Sequence, residues 1–286
     1  MRFMKIIECP RDAMQGIASF IPTHDKVRYL NKLLKVGFDT LDFGSFVSPK
    51  AIPQMSDTRA VLDGLELNGT QTSLLAIVAN VRGADEAVAY DAITYLGFPL
   101  SISETFQVRN TNKTIADALN ELDKIRNICS RKGKKLVTYI SMGFGNPYGD
   151  PYEPAMIPQF IEILKALGTD VISLADTVGS ASAEDVSKIM SLVTKQYPTL
   201  EFGLHLHSAP DGAMAKIRAA YEGGCRRIDG ALKGYGGCPM AKDDLVGNIP
   251  TEKVIEFLET QNAKPALNEM ELTEALRIAS EIFPKR

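Results

Sequence analysis

Gly168-Thr-Asp-Val-Ile-Ser173 decides the fold, because the same local pattern returns in Gly37-Phe-Asp-Thr-Leu-Asp42 and in Gly224-Cys-Arg-Arg-Ile-Asp229. Each time, a stretch of helical period stops at a glycine and a short, β-branched or apolar run begins. Glycine suits that junction because a helix C-terminus often needs a left-handed residue. Helix, glycine and strand repeated along a chain give parallel strands joined by helical crossovers.

Working outward from these units, eight strands are expected near residues 5–9, 40–44, 73–79, 99–103, 136–142, 171–175, 202–207 and 227–231. The helices between them carry start signals. Thr114 with Asp117 forms a capping box ahead of Ile115, Leu119, Leu122, Ile125 and Cys129, which share one helical face. Ser182 with Asp185 repeats the device before Val186, Ile189 and Val193. Eight parallel strands fit a closed α/β fold, the (β/α)8 TIM barrel, here as one domain over residues 1–286. The rival open doubly wound sheet usually has fewer strands, and no GxGxxG fingerprint follows the first strand here. Two further helices, near 251–260 and 270–282, form an additional C-terminal segment, and the second, beyond what the barrel needs, either covers the barrel bottom or makes a subunit contact.

Composition narrows the partners. The 286 residues are 45% hydrophobic, enough for a large core, and the net charge of −3 speaks against nucleic acid. Apolar runs are short and interrupted, so no membrane span is expected. Met1-Arg2-Phe3-Met4-Lys5-Ile6-Ile7 runs straight into a strand and lacks the form of a signal peptide. Cys9, Cys129, Cys225 and Cys238 make no CxxC pair, which points to free thiols and a cytoplasmic location.

In a TIM barrel the C-terminal strand ends converge on one face. Arg11 and Asp12 follow strand one, Asp42 sits in strand two and Asp176 ends strand six. His205-Leu-His207 ends strand seven, and Gly234-Tyr-Gly-Gly-Cys238-Pro follows strand eight. Residues i and i+2 of a strand face the same way, so His205 and His207 point to one side. The plain alternative is an ordinary polar strand end. Asp12 favours a metal site instead, because strands one and seven lie close around the closed ring. Asn248, expected in the loop after strand eight, can add an amide oxygen. Two nitrogens and two oxygens suit Mg2+ or Mn2+ better than a closed zinc site. Arg11 reads either as half of a surface ion pair or as a fixed cation for a developing enolate oxygen. Cys238 reads either as inert filler or as a proton-transferring thiol on a bending loop.

These residues resemble the 3-hydroxy-3-methylglutaryl-CoA lyase family nearly end to end. The carriers are Pro10-Arg-Asp12 with Gln15, Ser45-Phe-Val-Ser-Pro-Lys50, Ser103-Glu-Thr-Phe106 with Asn110-Thr-Asn112, and Tyr139-Ile-Ser141. Ile172-Ser-Leu-Ala-Asp176-Thr-Val-Gly179, His205-Leu-His207, Gly236-Gly-Cys-Pro-Met-Ala241 and Gly247-Asn248 complete the set. The resemblance implies cleavage of the hydroxymethylglutaryl thioester to acetyl-CoA and acetoacetate. It implies a divalent metal on Asp12, His205, His207 and Asn248, with Arg11 and Cys238 acting on the enolate. Asp42 takes the place of a family glutamate near the substrate, and Asp176 matches an aspartate that orients the general base. A homodimer is implied as well.

The chain departs from the family at four places. Ala18 replaces the lysine associated with CoA phosphates, Asp42 is one methylene short, Ser208-Ala209 replaces Asp-Thr, and Asn146 replaces a second loop cysteine. These changes bear on the small-molecule substrate, an acyl-CoA or a hydroxy acid. They leave two alternatives open: a related lyase or aldolase on a different substrate, and a silent barrel with a binding role.

Overall fold

The computed structural model describes residues 3–237 and 246–284. Eight parallel strands close a ring: β1 (Lys5–Glu8), β2 (Thr40–Ser45), β3 (Ser73–Ile77), β4 (Ile93–Ser101), β5 (Lys135–Ser141), β6 (Val171–Asp176), β7 (Glu201–Ser208) and β8 (Arg227–Gly230). Each pairs with the next, and β8 pairs with β1. The expected TIM barrel is therefore the observed fold, with no exposed edge in the ring.

The local signals act as the sequence suggests. Gly37, Gly168 and Gly224 all have left-handed backbones, with φ of 92°, 77° and 91°. Both capping boxes form: Thr114 and Ser182 accept from the amides of Asp117 and Asp185, whose carboxylates bond back to the cap.

The fourth strand corrects the sequence reading. It begins at Ile93, and Pro99 lies well inside it. Pro99 faces the same neighbour as Gly97, whose carbonyl accepts from Val78 just beyond β3. Its missing N–H therefore points to the side where β3 has already ended at Ile77. A proline is tolerated there because no ladder bond is lost.

A main core of buried apolar side chains fills the space between the barrel and its helices. The lumen has a second, smaller core of Leu75, Tyr95, Val137, Tyr139 and Val171, all from β3 to β6. The other side of the lumen is polar, built from Asp42, Ser173, His205, Arg227 and Asp229. The two halves meet where Arg227 lies over the Tyr95 ring at 5.3 Å and where His205 meets the Tyr139 ring at 5.9 Å.

The C-terminal helix Glu269–Ile282 does not cover the barrel bottom. It packs on the helix Thr23–Val36, where Asn268 N–H donates to Val36 O and Lys32 pairs with Glu271 at 3.0 Å. Phe283 just beyond it meets Tyr29 edge-on and stacks on Tyr235 at 4.5 Å. Among the described residues no helix is long and apolar enough to cross a membrane. Cys9, Cys129 and Cys225 are free and buried.

Candidate active site and metal centre

Pro10 opens a one-and-a-half-turn helix, Pro10–Gln15, directly after β1. Proline suits a first helical position, since its missing N–H would be unpaired there anyway. The next two side chains, Arg11 and Asp12, are thereby held over the barrel mouth, and both are buried.

Arg11 forks onto Asp42 from β2. Nε donates to the two carboxylate oxygens at 3.1 and 3.2 Å, and Nη2 donates to Oδ2 at 2.5 Å. Nη1 donates to Asp12 Oδ1 at 3.1 Å and to Gln15 Oε1 at 3.0 Å. Burial pushes Asp42 up to about 6 against the pull of Arg11, which still leaves it ionised at neutral pH. Burial also works to raise Asp12, but Arg11 and the two histidines outweigh it and hold the carboxyl below its ordinary value.

His205 and His207 reach the same place from β7. Their Nε2 atoms are 3.2 Å apart. His207 Nδ1 lies 3.2 Å from the Val246 carbonyl, and His205 Nδ1 lies 3.1 Å from Asp229 Oδ2. A carbonyl and a carboxylate only accept, so both Nδ1 atoms carry the ring proton. Neutral rings in those tautomers turn two Nε2 lone pairs toward each other. Such an arrangement needs a cation between them, either a proton or a metal ion. Asp12, His205 and His207 offer one ligand atom each, all within 4.8 Å of one another. Two imidazole nitrogens and a carboxylate oxygen therefore fit a divalent cation.

Asn248 is placed by an element the sequence reading took for loop. Gly247–Asn248 forms a short ninth strand, β9, antiparallel to β7, with Asn248 opposite His207. Its Nδ2 donates to Asp12 Oδ2 at 2.7 Å and to Tyr235 O at 2.8 Å. With both amide hydrogens taken, Oδ1 is the remaining ligating atom. Gly236 allows this approach: at φ +100°, a Cβ would fall 2.5 Å from Asn248 Nδ2 and 2.9 Å from Asp12 O.

Asp176 stands apart from the reacting face. Its Oδ1 accepts from Ser180 N at 2.9 Å, and its Oδ2 accepts from Ala181 N at 3.1 Å and Lys216 Nζ at 2.9 Å. The same ammonium donates to Gly179 O and, at 2.8 Å, to His207 O. Among the described residues, Asp176 is linked by hydrogen bonds to the centre through Lys216 and the backbone of His207. Lys216 was not visible in the sequence as a site residue, and neither was Asp229. Cys238 lies outside the described residues.

Glu8, at the end of β1, ties down the segments that follow β8. Oε1 accepts from Leu232 N at 2.9 Å and Oε2 from Thr251 Oγ1 at 2.5 Å, and burial pushes its carboxyl up to about 8. A cleft of about 440 Å3 opens above the cluster. It is lined by Arg11, Asp12, His205 and His207 at its floor and by Ser48, Phe106 and Arg109 farther out.

A family model described as HMGL-like matches residues 4–279. The chain belongs to the HMGL-like family. Among HMGL-like relatives, the hydroxymethylglutaryl-CoA lyase YngG of Bacillus subtilis is 31% identical over 255 residues, covering 89% of this chain and 84% of its own. The cytoplasmic 3-hydroxy-3-methylglutaryl-CoA lyase of Danio rerio is 29% identical over 274 residues, covering 96% and 81%. Among solved structures, an HMG-CoA lyase from A. baumannii in complex with coenzyme A and 3-methylmalate superposes with a TM-score of 0.90 at 30% identity, covering 98% of this chain and 91% of that one.

Proposed function

We propose that this chain is a metal-dependent carbon–carbon lyase that cleaves 3-hydroxy-3-methylglutaryl-CoA to acetyl-CoA and acetoacetate. The observation that carries the reading is the pair of Nε2 lone pairs 3.2 Å apart beside Asp12, at the floor of a cleft. We assign Asp12, His205, His207 and Asn248 as ligands of Mg2+ or Mn2+. When bound, such an ion polarises the oxygens of a hydroxy acid and makes its hydroxyl more acidic.

The chain's own groups divide the rest of the work. The tertiary hydroxyl gives its proton to water in the cleft, the bond to the thioester-bearing carbon breaks, a ketone forms, and the acetyl-thioester enolate takes a proton from a thiol that solvent then reprotonates. Arg11, fixed by the Asp42 fork, supplies a preorganised cation for the enolate oxygen. Asp42 thereby acts through Arg11, and Asp176 acts through Lys216 on the strand that bears His207. We assign Cys238 to the return of the proton. The buried floor keeps these charges in a low-dielectric setting where each is worth more.

Purified protein, stripped with a chelator and reloaded with Mg2+, should convert the thioester to acetoacetate, and the stripped protein should not. Absence of product from reduced, reloaded protein would count against the reading, and a silent barrel would give that result. The substitution at Ala18 motivates a second reading, a different 3-hydroxyacyl thioester. Ala18 lines a separate cleft together with Phe20, Arg28 and Phe283. A panel of hydroxyacyl-CoA thioesters separates the two. We further read the protein as a single-domain, cytoplasmic homodimer, which sedimentation and fractionation test.

A further inference from the structure

The wall of the cleft that faces Arg11 is built on β5. Around the closed ring β5 stands opposite β1, the strand that leads into Arg11 and Asp12. Tyr139 and Ser141 alternate with Ile140 on β5, so their side chains share the inner face, and both line the cleft. The Tyr139 ring meets the His205 ring edge-on at 5.9 Å. The wall therefore begins beside the proposed metal ligands.

The fold makes no use of these two hydroxyls. Ser101 Oγ and Ile102 N donate to the Ser141 carbonyl, not to its side chain. Among the described residues, neither Tyr139 Oη nor Ser141 Oγ takes part in a hydrogen bond. Each residue is 7% exposed, and neither oxygen is sealed from solvent as Ser173 Oγ on β6 is. Phenylalanine and alanine would pack this wall as well. Nearly buried hydroxyls that keep their hydrogen-bonding capacity on a cleft are placed to meet a ligand.

Charge and donor capacity describe that ligand. Among the described residues lining the cleft, Asp12 is the one carboxylate, and it stands on the β1 side. Arg109, from the helix that follows β4, lines the cleft farther out, with its guanidinium over the Tyr148 ring at 4.6 Å. Burial pushes the Tyr139 phenol well above its ordinary value, so it stays protonated and can donate. Two neutral donors on a wall without acids suit an anionic oxygen. The substrate of the proposed reaction offers one. Its tertiary carbon is tetrahedral. With the hydroxyl at the ligand cluster and the thioester arm at Arg11, the arm that ends in the free carboxylate is left to the β5 wall.

We propose that Tyr139 and Ser141 are specificity-determining residues whose hydroxyls donate to the free carboxylate of the acyl chain, so that the site selects thioesters of 3-hydroxy diacids over those of monoacids. The inference rests on the proposed function and deepens it.

Two thioesters that lack the 3-hydroxyl cannot be cleaved, and they separate recognition from chemistry. 3-Methylglutaryl-CoA keeps the carboxylate, and 3-methylbutyryl-CoA lacks it. Isothermal titration into the Mg2+-loaded full chain should show wild type preferring the first. Tyr139→Phe and Ser141→Ala should each cut that preference by roughly tenfold, weakening 3-methylglutaryl-CoA while 3-methylbutyryl-CoA binds as before. Thermal melts and Mn2+ titrations should match wild type; a merely structural role would move the melts and leave the preference alone. Each variant removes a single oxygen, and if one fails to fold the other decides. Wild type without a preference, or folded variants that keep it, overturns the assignment. Wild type that shows the preference but leaves 3-hydroxy-3-methylglutaryl-CoA uncut sinks the lyase reading while the carboxylate site stands. Binding of neither thioester sinks both.

Discussion

Asn248 lies directly opposite His207, joined to it by the antiparallel pairing of β9 with β7. The remaining strand pairs of the barrel are parallel. Two proposed ligands from distant parts of the chain are thus set by backbone register rather than by side-chain reach. A site built on strands is held more tightly than one built on loops. Asn248→Ala should therefore weaken Mn2+ binding by at least about tenfold, with the fold intact. Isothermal titration with a thermal melt alongside checks it, and full-strength binding by the variant would remove Asn248 from the ligand set.

Arg11 tests whether charge or shape matters beside the ligands. Lysine keeps the charge but cannot reproduce the fork onto Asp42. Arg11→Lys should lower kcat by about 10²–10³ while Mn2+ affinity stays close to wild type. Steady-state kinetics together with a metal titration separates the two. Loss of metal binding without a kcat effect at saturating metal would reverse the assignment.

Glu8 gives a pH dependence whose sign follows from burial. Its ordinary value of 4.5 is pushed up to about 8 in the folded chain, mainly because burial disfavours the charged form. The folded state holds the proton more tightly than the unfolded state. The stability tied to Glu8 is therefore fully present below about 4.5 and falls as pH rises toward about 8. Urea unfolding at pH 6 and at pH 8.5 should show wild type losing more stability than Glu8→Gln. Groups common to both proteins cancel in that comparison. Equal losses would show that Glu8 ionises freely in the native state.

Gly236 is expected to tolerate no side chain. Its left-handed backbone and the 2.5 Å approach to Asn248 Nδ2 act in the same direction. Gly236→Ala should destabilise the protein by about 1–3 kcal/mol and weaken metal binding as well. Denaturant melts in the presence and absence of Mn2+ report both effects. A variant with unchanged melts would mean that the loop has room to move aside.

Much of the frame was legible because its signals are local. A glycine at a helix end, a Thr114–Asp117 box and an i, i+2 histidine pair each announce themselves within a few residues. The unforeseen features are set by pairing between distant strands. Ile93 begins β4, and Pro99 fits inside only because β3 has stopped beside it. Arg-Ile-Asp229 reads as an ordinary strand until its register places Asp229 beside His205. Lys216 looks like one more helical lysine, and only the folded chain sets its ammonium among Asp176, Gly179 and His207. Asp176 was named from the sequence, but its carboxylate serves the turn that follows β6 and the helix that bears Lys216.

The ring stack of Tyr235 on Phe283 reaches further than its 4.5 Å suggests. Tyr235 starts the glycine run ahead of Cys238, and its carbonyl steadies Asn248. Phe283 directly follows the helix Glu269–Ile282. The tail therefore moors the rim of the catalytic mouth from outside the ring. Replacing Phe283 with alanine would be felt at the cation first and in the barrel walls hardly at all.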